Sequence, residues 1–313
     1  MLNLIQNEWM KLWSKKGTWL MTGLLILAVI GMMGLAKWID TMESGGSQDW
    51  KTNVKQELTY TNESLEGPNL PADMRENFEE DKKVLEYRLE HSIAPLEGSS
   101  REKMIMNSST IGSFVVLLTV IVAAGIVAVE FSQGTIKMLL SRPIKRWKIL
   151  TSKFVTVNLF GIMLMLLGFA ISILAAYLLF PSSGGKELVW NGSEVVTVSV
   201  WGKGLYMLLL SFGNVFVTST FAFMVGSVFR SNGLAIGLSL FIYFTGSTVV
   251  MLLSKYEIAK YIVFTHMDLT QYATGYQLIE GITMPFSLAV LAVYIIIFLV
   301  ISYIVFGKRD VTA

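Results

Sequence analysis

The stretch richest in chemical information runs from Glu130 to Lys153 and reads EFSQGTIKMLLSRPIKRWKILTSK. An acid and an aromatic precede a Gly134-Thr135 break. A short amphipathic piece, Ile136–Ser141, then leads to Arg142-Pro143 and a basic cluster of Lys145, Arg146 and Lys148. Positive charge alone is all that a membrane-orienting loop requires, and on composition that plain reading serves equally well. A helix break followed by Leu139 and Leu140 facing water is more than orientation needs. It suits a short helix seated in the groove of a partner.

Chemistry performed by the chain itself finds few residues. There is no cysteine, so a disulfide framework, a thiolate metal site and a cysteine nucleophile are excluded. Two histidines, His91 and His266, do not make a multi-histidine metal centre, and both read as ordinary exposed side chains. No Gly-x-x-x-x-Gly-Lys phosphate loop occurs, and the Gly184-Gly185-Lys186 triplet lacks the upstream glycine. No intramembrane aspartate pair exists, and a serine within the membrane would have no histidine base beside it. A formal charge of +2, without a basic face, argues against nucleic acid. The expectation is a chain with no catalytic residue, metal or cofactor of its own.

The elements that carry these residues are membrane spans. The chain has 313 residues, 53% hydrophobic and 15% charged, with a mean hydropathy of +0.57; soluble domains carry about 25% charged residues. A helix needs roughly 20 apolar residues to cross the hydrocarbon. Six uncharged runs qualify: Gly17–Ala36, Ile111–Val129, Phe154–Phe180, Leu205–Val228, Gly233–Leu253 and Met284–Phe306. In lipid the backbone must satisfy its own hydrogen bonds, so each run is predicted to be a helix. The first exceeds a signal peptide's apolar core and lacks an Ala-x-Ala site, which reads as a retained anchor. The predicted fold is therefore an all-α integral membrane protein with six transmembrane helices.

Lys and Arg placement orients it. With the N-terminus inside, the cytoplasmic segments hold 12 basic residues against three acids, and the outer segments hold the other 13 basic residues against 20 acids. Both termini are expected in the cytoplasm. Trp13, Trp19, Trp38, Trp147 and Trp201 fall near span ends, where amphipathic rings favour the interface.

Four segments outside the bilayer have readable patterns. Residues 1–16 place Leu2, Ile5, Trp9, Leu12 and Trp13 at helical steps opposite Asn3, Asn7, Lys11 and Ser14, as in a helix lying on the membrane. That helix serves either as a plain anchor or as a lever touching a cytoplasmic partner. Residues 37–109 read as an extracellular helical hairpin: Trp50, Val54, Leu58 and Leu65 fall on one stripe, Pro68 and Pro71 turn the chain, and Asp73 with Glu76 caps a second helix that runs to Pro95. It is a solvated cap or a grip for cationic cargo. Residues 181–203 suggest a small extended piece around Val195–Val200. Residues 254–283 contain a short apolar helical stretch from Tyr256 to Phe264, too short to cross and expected at the outer interface.

With these spans in place, the loop resembles that of a known family, the integral-membrane subunits of ABC-2-type transporters. The matching positions are Glu130, Phe131, Gly134, Thr135, Leu139, Leu140, Ser141, Pro143, Arg146 and Lys153. The opening around Glu8-Trp9 and Lys11-Leu12, and the closing Phe306–Val311, are also similar. The resemblance implies the type V exporter fold, a dimer of six-span halves (the second half taken as an identical copy), and two copies of a separate ATPase subunit carrying ATP and Mg²⁺. It implies that Glu130–Lys148, including Arg142 and Trp147, is the coupling region for that ATPase. Glu8, Trp9 and Leu12 would form a second contact with it. The long first outer loop is similar to that of bacterial permeases tied to peptide-antibiotic export or resistance, which implies an amphipathic cargo and a bacterial plasma membrane.

Within the spans, Ser211, Asn214 and Thr218 share one face of the fourth, and Thr245 adds polarity to the fifth. They either line a cargo path or join helices by hydrogen bonds worth about 0.6 kcal/mol each. Two rival functions remain open from the sequence. One is a sensor or immunity protein that binds cationic peptides without moving them. The other is an ion-driven carrier, disfavoured because no ionisable group lies within the six runs.

Overall fold

A computed structural model describes residues 1–43, 49–67, 72–135, 144–229, 231–274, 277, 279 and 281–308. Six helical stretches are long and apolar enough to cross a membrane: Lys16–Met42, Arg101–Ser132, Arg146–Leu179, Val200–Val228, Asn232–Leu253 and Met284–Lys308. The chain is a multi-pass helical membrane protein. Its described residues divide into two compact units: residues 1–26, 110–168 and 209–313 form the first, and residues 27–109 and 169–208 the second.

The first unit opens with α1 (Leu2–Trp13), which passes through a tight bend into α2 (Lys16–Glu43). The orphan carbonyls ending α1 are taken up locally. Thr18 donates its hydroxyl to Leu12 O at 2.6 Å, and Trp19 donates its indole N–H to Trp13 O at 3.0 Å. At the centre lies α6 (Ile111–Ser132), buried around most of its circumference, with Val115, Val120, Ala123, Ala124 and Val127 closed off from solvent. A helix that is apolar all round belongs in the interior. Around it are α7 (Arg146–Leu179), α8 (Val200–Val228), α9 (Asn232–Leu253), which packs along α6, and α12 (Met284–Lys308). Between α9 and α12 come a 3₁₀ turn (Glu257–Tyr261), α10 (Val263–Met267) and α11 (Gln271–Thr274).

Lipid tails are as apolar as leucine, so these helices associate through close packing. Gly226 of α8 lies against the Ala124 carbonyl of α6, and a Cβ at that position would come within 2.2 Å of the oxygen. Elsewhere large apolar side chains point away from the protein, among them Leu20, Leu27, Phe241, Met251, Leu252 and Ile296. In water such a surface would drive aggregation; in a bilayer it is the face that meets lipid.

The second unit contains α3 (Trp50–Glu66), α4 (Ala72–His91), α5 (Arg101–Met106) and a two-stranded antiparallel sheet, β1 (Leu188–Trp190) and β2 (Val195–Thr197). Lys51 at the start of α3 reaches Ser92 Oγ beyond the end of α4, while Arg75 at the start of α4 donates to Leu65 O at the end of α3. The two helices therefore run antiparallel and pack along each other. The polar ties of this unit centre on Glu187. Burial pushes its carboxyl up, but Lys203 at 3.0 Å, Lys103 at 3.7 Å and nearby Arg88 outweigh that and hold it below the usual carboxylate range.

Several expectations need correction. The apolar runs marked the hydrocarbon core rather than the helices. Polar flanking turns continue the helical hydrogen bonding, so α7 begins at Arg146, about two turns before Phe154, and α6 carries Glu130 and Phe131 within it. The turn at Pro68 and Pro71 and the side chain of Asp73 lie outside the described residues, and α4 is described from Ala72. It stops at His91, ahead of Pro95, because Ser92 turns left-handed at φ 50°. Ser92 N–H then donates to Leu89 O and Ile93 N–H to Arg88 O, closing the helix end. The stretch from Tyr256 to Phe264 is two short pieces, broken where Ile262 is extended, and not one helix. The β1–β2 pair is an exception to an all-α chain.

Gly226→Ala should lower the thermal unfolding midpoint in detergent by a shift matching about 1–3 kcal/mol. Gly233→Ala, where a Cβ meets nothing within 4 Å, should leave that midpoint essentially unchanged.

Candidate functional site

Three helix ends of the first unit converge on one lysine. Lys153, two turns into α7, is closed off from solvent at 0% exposure. Its ammonium donates to Glu8 Oε2 of α1 at 2.8 Å and to Glu130 Oε1 of α6 at 2.7 Å. Glu8 and Glu130 are themselves 5% and 3% exposed. Lys11, one turn after Glu8 on α1, makes a second ion pair with Glu130 Oε1. The order Glu8, Lys153, Glu130, Lys11 alternates in sign and sums to zero.

Burying each charge costs several kcal/mol, which only opposite charge and hydrogen bonds offset. Lys11 softens the cost because its side chain is 41% exposed and its stem covers apolar surface while the head stays wet. Glu130 Oε2 has no hydrogen-bond partner among the described residues. Beside this network lies a cavity of about 120 Å³ lined by Glu8, Lys11, Lys15, Glu130, Gln133 and Thr135, among others. It has room for a few waters.

The chain leaves α6 just beyond Glu130. Gln133 N–H donates to Val129 O at 2.9 Å and Gly134 N–H to Phe131 O at 3.2 Å, with Gly134 left-handed at φ +70°. Such a conformation costs glycine little and ends the helix, so the break expected at Gly134-Thr135 is where the sequence put it. Where α7 begins, Arg146 donates to Gly307 O at 2.9 Å, placing a cation at the carbonyl end of α12. Trp147 is exposed, Thr151 Oγ1 lies 2.6 Å from the Tyr303 hydroxyl, and Phe131 packs edge-on against Phe306. The ends of α1, α6, α7 and α12 are thus joined by charge and ring contacts.

The structure therefore joins Glu130 to Glu8 through Lys153, sets Phe131 and Arg146 against the end of α12, and leaves Gly134, Thr135 and Trp147 at the surface. Leu139, Leu140, Ser141, Arg142 and Pro143 lie outside the described residues. The N-terminal contact needs correction. Glu8 and Leu12 face inward and are buried, so neither is a surface for a partner, and Trp9 is half-buried beside Trp13. Lys153, a matching position of the loop motif, lies beyond the coupling region expected at Glu130–Lys148 and is the residue on which the site centres. The available signal was charge: Glu8 and Glu130 are acids in segments that are otherwise basic.

The polar residues of the spans are taken up by packing. Ser211 lies against Gly112 of α6. Thr218 donates to Asn214 Oδ1 at 3.0 Å and lies against Met267 Sδ, while Thr245 donates to the carbonyl of Phe241 in its own helix. His266, expected to be exposed, is buried at 0% exposure between the 3₁₀ turn and α12. Its Nδ1 lies 2.6 Å from Ser287 Oγ, and Ser287 is likewise closed off from solvent.

Lys153→Met should leave the buried Glu8 carboxylate without its cation and Glu130 with Lys11 alone, and destabilise the protein by about 3–5 kcal/mol, read as a lower unfolding midpoint and faster proteolysis of α1. Neutralising the cluster together, with Glu8→Gln, Glu130→Gln and Lys153→Met, should recover most of that loss. A triple variant no more stable than the single one would refute the view that stranded charge is the cause.

Comparison with known proteins supports membrane character. The chain is 38% identical to the uncharacterized protein YhcI of Bacillus subtilis strain 168, over 99% of each chain. It is 33% identical to the uncharacterized membrane protein YdbK of the same organism, over 62% of this chain and 76% of that protein. The model of the family described as "Protein of unknown function (DUF2705)" matches residues 77–312, and the chain belongs to that family.

Proposed function

We propose that this chain is the membrane subunit of an ATP-driven exporter of the ABC-2 type, with ATP hydrolysis on a separate subunit. The single observation that carries the reading is the clamp of Glu8, Lys153, Glu130 and Lys11 at the root of the Gly134–Arg146 stretch. A partner pressing on that stretch acts directly on the ends of α6 and α7, and through Lys153 on α1. Two rigid helices joined at one buried charge move together, because separating them would expose unpaired ions to a low-dielectric interior.

In this reading both termini and the Glu130–Lys148 region are cytoplasmic, and α3 and α4 are extracellular. The membrane is a bacterial plasma membrane. Two ATPase copies bind a dimer of this chain, and the cargo is an amphipathic peptide or lipid-like molecule. The sensor and ion-carrier readings gain no specific support. Among the described residues, the buried charges of the first unit, Glu8, Glu130 and Lys153, are paired with one another, and an ion-coupling site needs groups free to exchange their ion.

The test is a mild-detergent purification of the tagged full chain from native membranes, with co-purifying proteins identified by mass spectrometry. A P-loop ATPase should be recovered, and Arg142→Glu should reduce it at least tenfold while membrane insertion stays normal. Arg146 is left intact because it holds Gly307. Absence of any ATPase, or recovery unaffected by Arg142→Glu, would overturn the assignment.

A further inference from the structure

The segment between α9 and α12 contains a continuous polar chain that the exporter reading does not use. His266 Nε2 lies 2.8 Å from Lys260 O, and Nδ1 lies 2.6 Å from Ser287 Oγ. A carbonyl only accepts, so Nε2 carries the proton, and in the neutral ring Nδ1 accepts from Ser287. Ser287 Oγ is in turn hydrogen-bonded to the Tyr272 hydroxyl. His266 thus ties three elements together: the 3₁₀ turn through Lys260, α11 through Tyr272, and α12 through Ser287. Thr265 Oγ1 to Ala259 O at 2.7 Å and Gln271 Nε2 to Thr265 O at 3.1 Å add further links.

The surroundings are hostile to a charged ring. Phe286 stands edge-on at 5.7 Å. Val250, Ala259, Ile279 and Ile282 form an apolar cluster on which Phe264, Tyr272 and Phe286 pack. The charged neighbours do not face the ring. Glu257 and Lys260 pair with each other at 4.0 Å with their side chains 94% and 40% exposed, and Asp268 turns to the N–H and hydroxyl of Thr270. From α9 the titratable neighbour is Tyr243, close to Asp268, and from the 3₁₀ turn it is Tyr261. The span of α12 that meets His266 has no charged residue.

We propose that the His266–Ser287–Tyr272 chain is an acid-sensitive clasp, in which proton uptake at His266 releases Glu257–Thr274 from the start of α12. The proton comes from the bathing water and binds Nδ1. Ser287 must then turn its own proton toward Tyr272, whose hydroxyl is left with Thr283 O at 3.4 Å as its acceptor. The hydrogen bonds weaken at that last link, and a charge is left among apolar side chains. Burial already holds the imidazole below the ordinary histidine range, only partly opposed by the Lys260 carbonyl.

The sign follows from linkage. In the released segment the ring takes its ordinary value, about 6.5. The released state therefore binds the proton more tightly, and the docked state loses ground as pH falls below about 6.5, by up to tenfold per pH unit.

The test is amide hydrogen exchange of the full chain by mass spectrometry at pH 7.5 and 5.5, with rates corrected for the intrinsic effect of pH. Exchange across 257–274 should rise up to about tenfold at pH 5.5, with α6 unchanged. His266→Gln keeps a donor for Lys260 O but does not titrate, and should lose the acid response. No rise in the native chain, or an equal rise in His266→Gln, overturns the proposal. If that variant fails to fold, His91→Gln leaves His266 as the sole histidine for nitrogen NMR. An Nε2–H tautomer titrating below about 6.5 supports the clasp, and an Nδ1–H tautomer or ordinary titration overturns it.

Discussion

A lysine ammonium sealed from water between two carboxylates is the interaction on which the first unit is organised. Lys153 is deep enough that losing either partner would leave a charge that neither solvent nor a flexible side chain relieves. Its two carboxylates come from different helices, so the pairing fixes α1 and α6 against α7 at one point. Lys11 then closes the series at the wet edge, where its stem spans the distance to solvent. Charge order, rather than apolar area, positions α1, a short helix with few buried side chains.

A second constraint comes from the solvent. In hydrocarbon there is no gain from hiding one apolar side chain behind another, so helices meet where small residues let backbones approach. Gly226 over Ala124 O and Gly112 beside Ser211 are such places on the surface of α6. Several hydroxyls within the spans are satisfied by their own helices, as at Thr119, Thr220 and Ser239, each of which donates to a carbonyl one turn back. Among the described residues that local solution occupies these hydroxyls within their own helices.

The second unit uses water-facing chemistry instead. Glu187 gathers Lys203, Lys103 and Arg88, while Lys83 lies over the Trp190 ring at 4.3 Å. Arg88 also donates to Lys186 O at 2.8 Å, linking α4 to the chain entering β1. A short two-stranded sheet is marginal by itself in water, and these ties to α4 supply what its few hydrogen bonds lack.

The number of spans and the break at Gly134 were legible from residue order, because both depend on local rules. A long uncharged run must be helical in lipid, and a glycine can turn left-handed where other residues resist. Helix ends were less legible: Arg146–Lys153 is polar by composition yet helical, since backbone hydrogen bonding continues past the hydrocarbon edge. The pairing of Glu8, Glu130 and Lys153, and the burial of His266, were decided only by tertiary structure. Each joins residues distant in the chain, and whether a charge faces water or an opposite charge depends on which helices pack together. Sequence by itself determined that this chain crosses the membrane; the fold alone decided which of its few charges stay inside, because the cost of burying one is set by the partner it finds there.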